Sequence, residues 1–564
     1  MNKIILPFLV CLLGTQITFA QCEPQAQTDL SVNNVNAGLL NGGDMFWDLA
    51  NAHYEVPKNS GKNTIFAAAI WMGGIDTQGN LKAAAQTYRQ SGSDFFPGPV
   101  NDDGTLIDTD CVDFDKFWKV TSLDIDAFKA EYEAKALAGQ TMTVAEVPQT
   151  LLDWPGKNNP HFTEFTLPEN KELAPFWDAN ADGVYNPIEG DYPVINSEIE
   201  GQYADEMVWW VYNDLGGFHG ETQAEPIGME VGALAYAFQS DDYINDATFY
   251  RYRLNYNGDT PLNDFYIGHF FDADLGNFTD DYVGCDTTQN MGYIYNGDDF
   301  DDGATGYGDN PPMLGVKVIE GLKDENGGET KLSSFIYYNN DFDVTGNPEI
   351  GEHYYNYLKA TWKDGTPVTE GGNGYGGTTP TNYMSPGNPS GEGWSECSDN
   401  NVSADRRFVL STGPINLDSG SEKFVTFGIL YLQQGEAVYP CPDVAPLSNL
   451  GAQSEVFFDS LQVPIVFEIP EDTANTIIKS LYFNDNISIY PNPMTEKSVI
   501  DLSKLTEQVD ELTVYNQTGK KVLQQPINNQ TTITINRGNL TNGLYYYQLK
   551  NKESVIANGK VVVQ

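Results

Sequence analysis

The chain has 564 residues, 40% of them hydrophobic and 12% aromatic, and only 19% charged. That composition can bury a large core spread over several domains and excludes wholesale disorder. Against 30 Lys and Arg stand 79 Asp and Glu, a formal net charge of −49, which sets nucleic acid and anionic membrane surfaces aside as general partners.

At the start, Lys3, the apolar run 4–13 and the small-residue site Thr18-Phe19-Ala20 read as a secretory signal cut between Ala20 and Gln21. The run is too short to span a bilayer, and no later stretch is apolar enough for a transmembrane helix. Five cysteines follow: Cys22, Cys111, Cys285, Cys397 and Cys441. An odd number leaves at least one free or paired between chains; Cys397 with Cys441 is the favoured bridge. With no Cys-x-x-Cys, thiol-redox and zinc-ribbon chemistry drop out.

Through the acidic body, taken as 21–479 with possible subdomains 21–200 and 201–479, strands and long loops dominate. Residues 64–72 and 81–88 flank a turn at 76–80 and read as a hairpin. One clear helix is expected over 124–138, capped by Ser122 or Asp124 and stopped by Gly139. A second hairpin is read over 247–257 and 263–271, and a late pair of sandwich strands over 407–411 and 423–432. No repeat of fixed period occurs, so solenoids and propellers are disfavoured.

The sharpest motif is the run 178–189, DANADGVYNPIE. Asp178, Asn180, Asp182 and Asn186 place oxygens at positions one, three, five and nine of a twelve-residue calcium loop. Val184 offers its carbonyl, Gly183 the sharp turn and Glu189 two closing oxygens. Pro187 and Gly190 argue against a following helix, so a lone structural calcium loop is expected. A second acidic cluster comprises Asp272, Asp274, Asp280, Asp281 and Asp286; gathering these without a cation is electrostatically unfavourable, and calcium is the expected ion there too. The run 298–303 is a weaker acidic candidate.

Other chemistry finds little support. Gly372, Gly374 and Gly377 spell a dinucleotide pattern, yet Thr378-Thr379-Pro380 follows where a helix should begin, so this is a loop. The five histidines are scattered with no His-Glu-x-x-His, and no Gly-x-Ser-x-Gly elbow occurs. Trp209, Trp210, Tyr212, Tyr354, Tyr355, Tyr357, Trp362 and Tyr375 could form sugar-stacking platforms, although alternating aromatics more often pack sandwich cores.

Charge changes near residue 480: residues 480–564 hold seven acids and eight bases, so this tail is a separate module. Ile487 and Ile489, Leu512 and Val514, Ile533 and Ile535, Tyr545 to Leu549, and Val561 and Val563 alternate as short strands. Turns fall at 491–493, 517–519, 542–543 and 558–559. Six or seven strands in about eighty residues make a small Ig-like antiparallel sandwich. The phrases 486–493 (NISIYPNP), 512–520 (LTVYNQTGK), 542–545 (NGLY) and 559–562 (GKVV) resemble the type A sorting domain of the type IX secretion system. That resemblance implies export across the outer membrane of a Gram-negative cell by the type IX machinery. The cargo is then attached to surface lipopolysaccharide or released.

In the body, residues 174–187, 274–276 with 280–281, 362–365 and 411–414 resemble a group of secreted proteins of unassigned activity that carry the same tail. The expectation is therefore a mainly β, multi-domain secreted β-sandwich protein with few helices, long loops and the small sorting sandwich at its C-terminus. It is expected to serve as a non-catalytic, calcium-stabilised structural or adhesive component. The alternatives are a secreted hydrolase of polysaccharide or protein and a glycan-binding module.

Overall fold

The computed structural model describes residues 23–461 except 102–103, 107–110, 434 and 436–437, and residues 488–563 except 503–507, 517–520, 528–529, 539, 541–542 and 552–553. The expected signal segment, with Ala20, Gln21, Cys22, Ile487 and the turns at 517–519 and Asn542, lies outside the described residues. Two compact units divide at Met1–Ala452 and Gln453–Gln564. No helix among the described residues is long and apolar enough to cross a membrane.

The first unit is built on two nine-stranded antiparallel sheets. Sheet one runs Gln27–Leu30, Asn36–Leu40, Asp44–Met45, Ala67–Asp76, Leu262–Asp272, Arg406–Leu417, Ser334–Asn339. Sheet two runs Asp281–Asp286, Met291–Asn296, Met313–Glu320, Glu422–Leu432, Ala247–Tyr256, Met229–Ala237, Glu206–Asn213, Phe96–Pro97. Strands from both sides of residue 200 share each sheet, so the sheets do not follow the expected subdivision there.

Alternation makes the interior. In Ala247–Tyr256, Tyr250, Tyr252 and Leu254 are buried in the core while Arg251 and Arg253 lie between them on the outer side. Rings from the two sides of the sandwich meet edge-on or tilted: Phe46 lies 5.3 Å from Tyr250 at 69°, and His269 lies 4.8 Å from Phe427 at 58°. The helix Gly351–Leu358 covers part of the outer face of sheet one so closely that a Cβ at Gly73 would sit 2.7 Å from the Tyr355 ring. Only glycine fits there.

Several expectations meet a different arrangement. The hairpin around 76–80 forms, as Ala67–Asp76 against Leu81–Ala85, with the Asp76 carboxylate accepting from the Gln78 and Asn80 backbone N–H groups. The one expected over 247–271 does not: Ala247–Tyr256 belongs to sheet two and Leu262–Asp272 to sheet one. A five-residue connection can close a ladder or cross a sandwich, and here each strand pairs with other neighbours on both sides, Ala247–Tyr256 with Met229–Ala237 and Glu422–Leu432, Leu262–Asp272 with Ala67–Asp76 and Arg406–Leu417. The expected helix spans Ser122–Leu137 and is capped by Thr121, whose hydroxyl accepts from Asp124 N. Three further helices among the described residues, Gln149–Leu152, Gly351–Leu358 and Ala445–Leu461, were not signalled by their sequences. Cys397 and Cys441 are bridged, Cys111 is disulfide-bonded, and Cys285 is a buried free thiol.

His269 is a liability in this core. It is fully buried among Phe271, Phe427 and Tyr252, and neither ring nitrogen has a hydrogen-bond partner. Burial pushes its pKa down to about 3. An unfolded histidine takes up a proton below about 6.5 whereas this one does not, so its contribution to stability is full above that pH and falls away towards pH 3, at about 1.4 kcal/mol per pH unit. His269→Leu is expected to flatten the acid limb of the stability profile, read by urea unfolding between pH 7 and pH 4.5. Parallel profiles for the two proteins would contradict this.

The second unit carries seven strands among its described residues, in a three-stranded sheet (Ser488–Tyr490, Lys497–Asp501, Thr532–Asn536) and a four-stranded one (Lys521–Pro526, Glu511–Asn516, Gly543–Asn551, Ser554–Val563). Ile533, Ile535, Leu512, Val514, Tyr545, Tyr547, Val561 and Val563 share one core. The turn expected at Asn558-Gly559 is instead mid-strand: Gly559 pairs with Tyr547, and a Cβ there would lie 2.3 Å from that ring. The glycine serves close approach rather than a turn.

Candidate functional site: an acidic cleft on sheet one

Asp272 ends the strand Leu262–Asp272, opposite Ala67 on one neighbour and Arg407 on the other, and Arg407 is in turn opposite Tyr338. Residues opposite one another in antiparallel ladders share a face, so Tyr338, Arg407, Asp272 and Ala67 form one row. His269 and Phe271 point into the core, and alternation therefore puts this row on the outer face. Above it opens a cleft of about 460 Å³, walled by Phe66, Thr87, Tyr88, Glu221, Asp274, Phe278, Phe342, Tyr354 and Asp405 among others.

The floor is a linked polar network. Arg407 donates from Nη2 to Asp272 Oδ2 (3.2 Å), from Nη1 to Asp405 Oδ1 (2.8 Å) and from Nε to the Tyr88 hydroxyl (2.8 Å). Tyr88 donates in turn to Asp272 Oδ2 at 2.6 Å. Asp272 is only 2% exposed, and its Oδ1 has no hydrogen-bond partner. Oxygens of Asp272, Asp274 and Asp405 lie within 4.8 Å of one another, the one such carboxylate trio among the described residues. Burial pushes the Asp272 carboxyl above its ordinary range, with Arg407 opposing. Burial, then the charges of Asp272 and Asp405, drive Asp274 far higher, and no hydrogen bond counters them. Three carboxylates with one guanidinium are short of positive charge.

Along the wall, Glu221 accepts from the hydroxyls of Tyr354 (2.7 Å) and Thr87. Its backbone N–H donates to the buried Asp94 (2.9 Å), which fixes the segment. Burial raises the Glu221 carboxyl, and those two hydroxyls oppose it.

The expected five-carboxylate site is therefore redistributed. Asp272 and Asp274 stand with Asp405, which the sequence reading missed. The only Arg-Arg pair in the chain, Arg406-Arg407, beside Asp405 at a strand start was the signal available. Asp281 is fully buried on the core side, accepts from Leu275 N at 3.0 Å and pairs across the ladder with Asn296. Asp280 precedes that strand, near Asp298 and Asp302, and Asp286, at the strand's far end, caps a turn by accepting from Thr288 N and Gln289 N. In the run 298–303, Asp301 is bonded by the Asn277 and Tyr307 N–H groups, bracing the loop that holds Asp274.

The loop at 178–189 lies between two short paired strands, Phe176–Trp177 and Tyr192–Pro193. Gly183 takes φ +77°, and its N–H donates to Asp178 Oδ2 at 2.7 Å. The Asn180 amide donates to both Asp182 Oδ2 (3.0 Å) and Glu189 Oε2 (3.1 Å), and Asp182 N donates to Asp178 Oδ1 (3.3 Å), although the carboxylates of Asp178, Asp182 and Glu189 do not converge as the cleft trio does. Val184 donates its N–H to Asp182 Oδ1. Asn186 turns away, its Oδ1 facing His161 Nε2 and Ile188 N. A 3-10 turn at Pro187–Glu189 takes the place of a following helix.

The aromatic platforms are core instead: Trp209, Trp210, Tyr212, Tyr357 and Trp362 are all buried, as are Tyr354 and Tyr355. Tyr375 alone of that group is exposed. Gly372, Gly374 and Gly376 adopt positive φ in a loop without a helix.

No curated protein matches the chain. A polysaccharide lyase of known structure aligns at 9% identity over 59% of this chain and 34% of its own, with a TM-score of 0.16; so slight a likeness says nothing of this chain's chemistry. Residues 488–564 match the secretion system C-terminal sorting domain family. The last unit thus carries a sorting domain of the type IX secretion system, which makes the protein a secreted or cell-surface one that engages that machinery.

Proposed function

We propose that the protein crosses the outer membrane of a Gram-negative bacterium through the type IX machinery and serves there as a non-catalytic, calcium-stabilised structural or adhesive component. Attachment to surface lipopolysaccharide is one fate open to such cargo. The cation reading is carried by one observation: the unpartnered, buried Oδ1 of Asp272 within the Asp272–Asp274–Asp405 trio. An ion of high charge density supplies what one guanidinium leaves uncompensated, and oxygen donors suit calcium. The curl of the loop at 178–189 supports a second ion there. Calorimetric titration of the full chain with calcium tests both sites. Asp274→Asn is expected to remove one binding event and Asp182→Ala another; titrations identical to the unaltered protein would refute the assignment.

A hydrolase is the second reading, favoured by the buried carboxyls of Glu221 and Asp274, held towards their protonated forms as a general acid requires. It predicts new reducing ends from polysaccharide or new amino termini from protein, lost in Glu221→Gln.

A further inference from the structure

We infer that the cleft binds neutral glycans through its bound calcium, with vicinal sugar hydroxyls completing the ion's coordination. The inference rests on the calcium reading above. Calcium takes about six to eight oxygens. On Asp272, Oδ2 is already committed to Tyr88 and Arg407, leaving Oδ1. On Asp405, Oδ1 receives Arg407 and Oδ2 receives Asn340 Nδ2 at 3.3 Å. Asp274 offers both oxygens. The trio thus supplies about half of such a shell, and the cleft it lines leaves room for oxygens from a ligand.

What surrounds those positions selects the ligand. Glu221 and Glu349 add acid to the lining while Arg407 is its one guanidinium, so anionic saccharides are repelled and neutral ones are not. At the rim, Phe278 and Phe342 are 46% and 74% exposed in a chain that buries most of its large aromatics. An exposed ring beside a polar pocket suits the apolar face of a pyranose. Gln90 and Asn347 bring amide donors and acceptors to the same wall. With about 460 Å³, the cleft has room for a sugar unit or two.

The test uses the full chain on immobilised mannan and galactan, both rich in vicinal hydroxyls, alongside calcium titration of the same preparations. Retention in calcium and release by EGTA are expected. Asp274→Asn should lose retention together with its calcium event. Phe342→Ala, at an exposed position, should keep calcium uptake and its unfolding transition but bind about tenfold more weakly. Calcium uptake at Asp274 with no retention on either polysaccharide would overturn the glycan inference and leave the calcium reading standing. Retention that survives EGTA would overturn binding through the ion. The absence of any Asp274-dependent calcium event would overturn both.

Discussion

A chain ending before residue 488 is expected to fold its body, cross the inner membrane and remain in the periplasm, so that the fraction degraded by protease added to whole cells falls to background. The physical basis is that the tail has its own core, from Met494 to Val563, drawn from its two sheets. Removing it leaves the two large sheets of the first unit complete. A point change should reproduce the loss: Gly559→Val puts a Cβ 2.3 Å from the Tyr547 ring, overpacking a sandwich that has no space to give. Undiminished surface display of the truncated chain would contradict the sorting role.

Glu396→Ala should be the most destabilising single substitution in the body, lowering the unfolding free energy by about 3–5 kcal/mol. Arg406 and Glu396 are 4% and 0% exposed and form a forked pair, with Nη2 to Oε2 at 2.7 Å and Nε to Oε1 at 3.2 Å. Glu396 Oε1 also accepts from Val283 N at 2.9 Å, which ties the loop beside the Cys397–Cys441 bridge to the edge of sheet two. Truncation leaves a guanidinium buried without its counter-charge and an N–H without its acceptor. The Lys116–Glu164 pair is the control: both side chains are about a third exposed, and Glu164→Ala should shift stability by less than about 1 kcal/mol. Urea unfolding of both variants reads the difference, and equal losses would contradict the assignment.

How far these features can be read from sequence depends on how local they are. Strand periodicity, the turn at Asp76, the helix at Ser122–Leu137 and the sorting phrases each lie within a few residues, and each is legible. The loop at 178–189 was legible as a spacing of oxygen side chains, but Asn186 turns towards His161 because that partner comes from 25 residues away. The acidic cleft was half legible. Asp272 and Asp274 are neighbours in sequence, whereas Asp405 reaches them only because Arg406–Leu417 pairs with Leu262–Asp272 across more than 130 residues. Short connections misled for the same reason: Gly258 to Pro261 looks like a hairpin turn, and only the two sheets decide that it crosses between them.

The most direct test of the account is the thermal unfolding of the secreted protein with calcium and after removal of calcium by EGTA. Filling acidic sites that exist in the native state alone must raise its stability. The account predicts a transition several degrees lower in EGTA, restored by calcium and insensitive to it when Asp274→Asn and Asp182→Ala are combined. Superimposable transitions with and without the ion would contradict it.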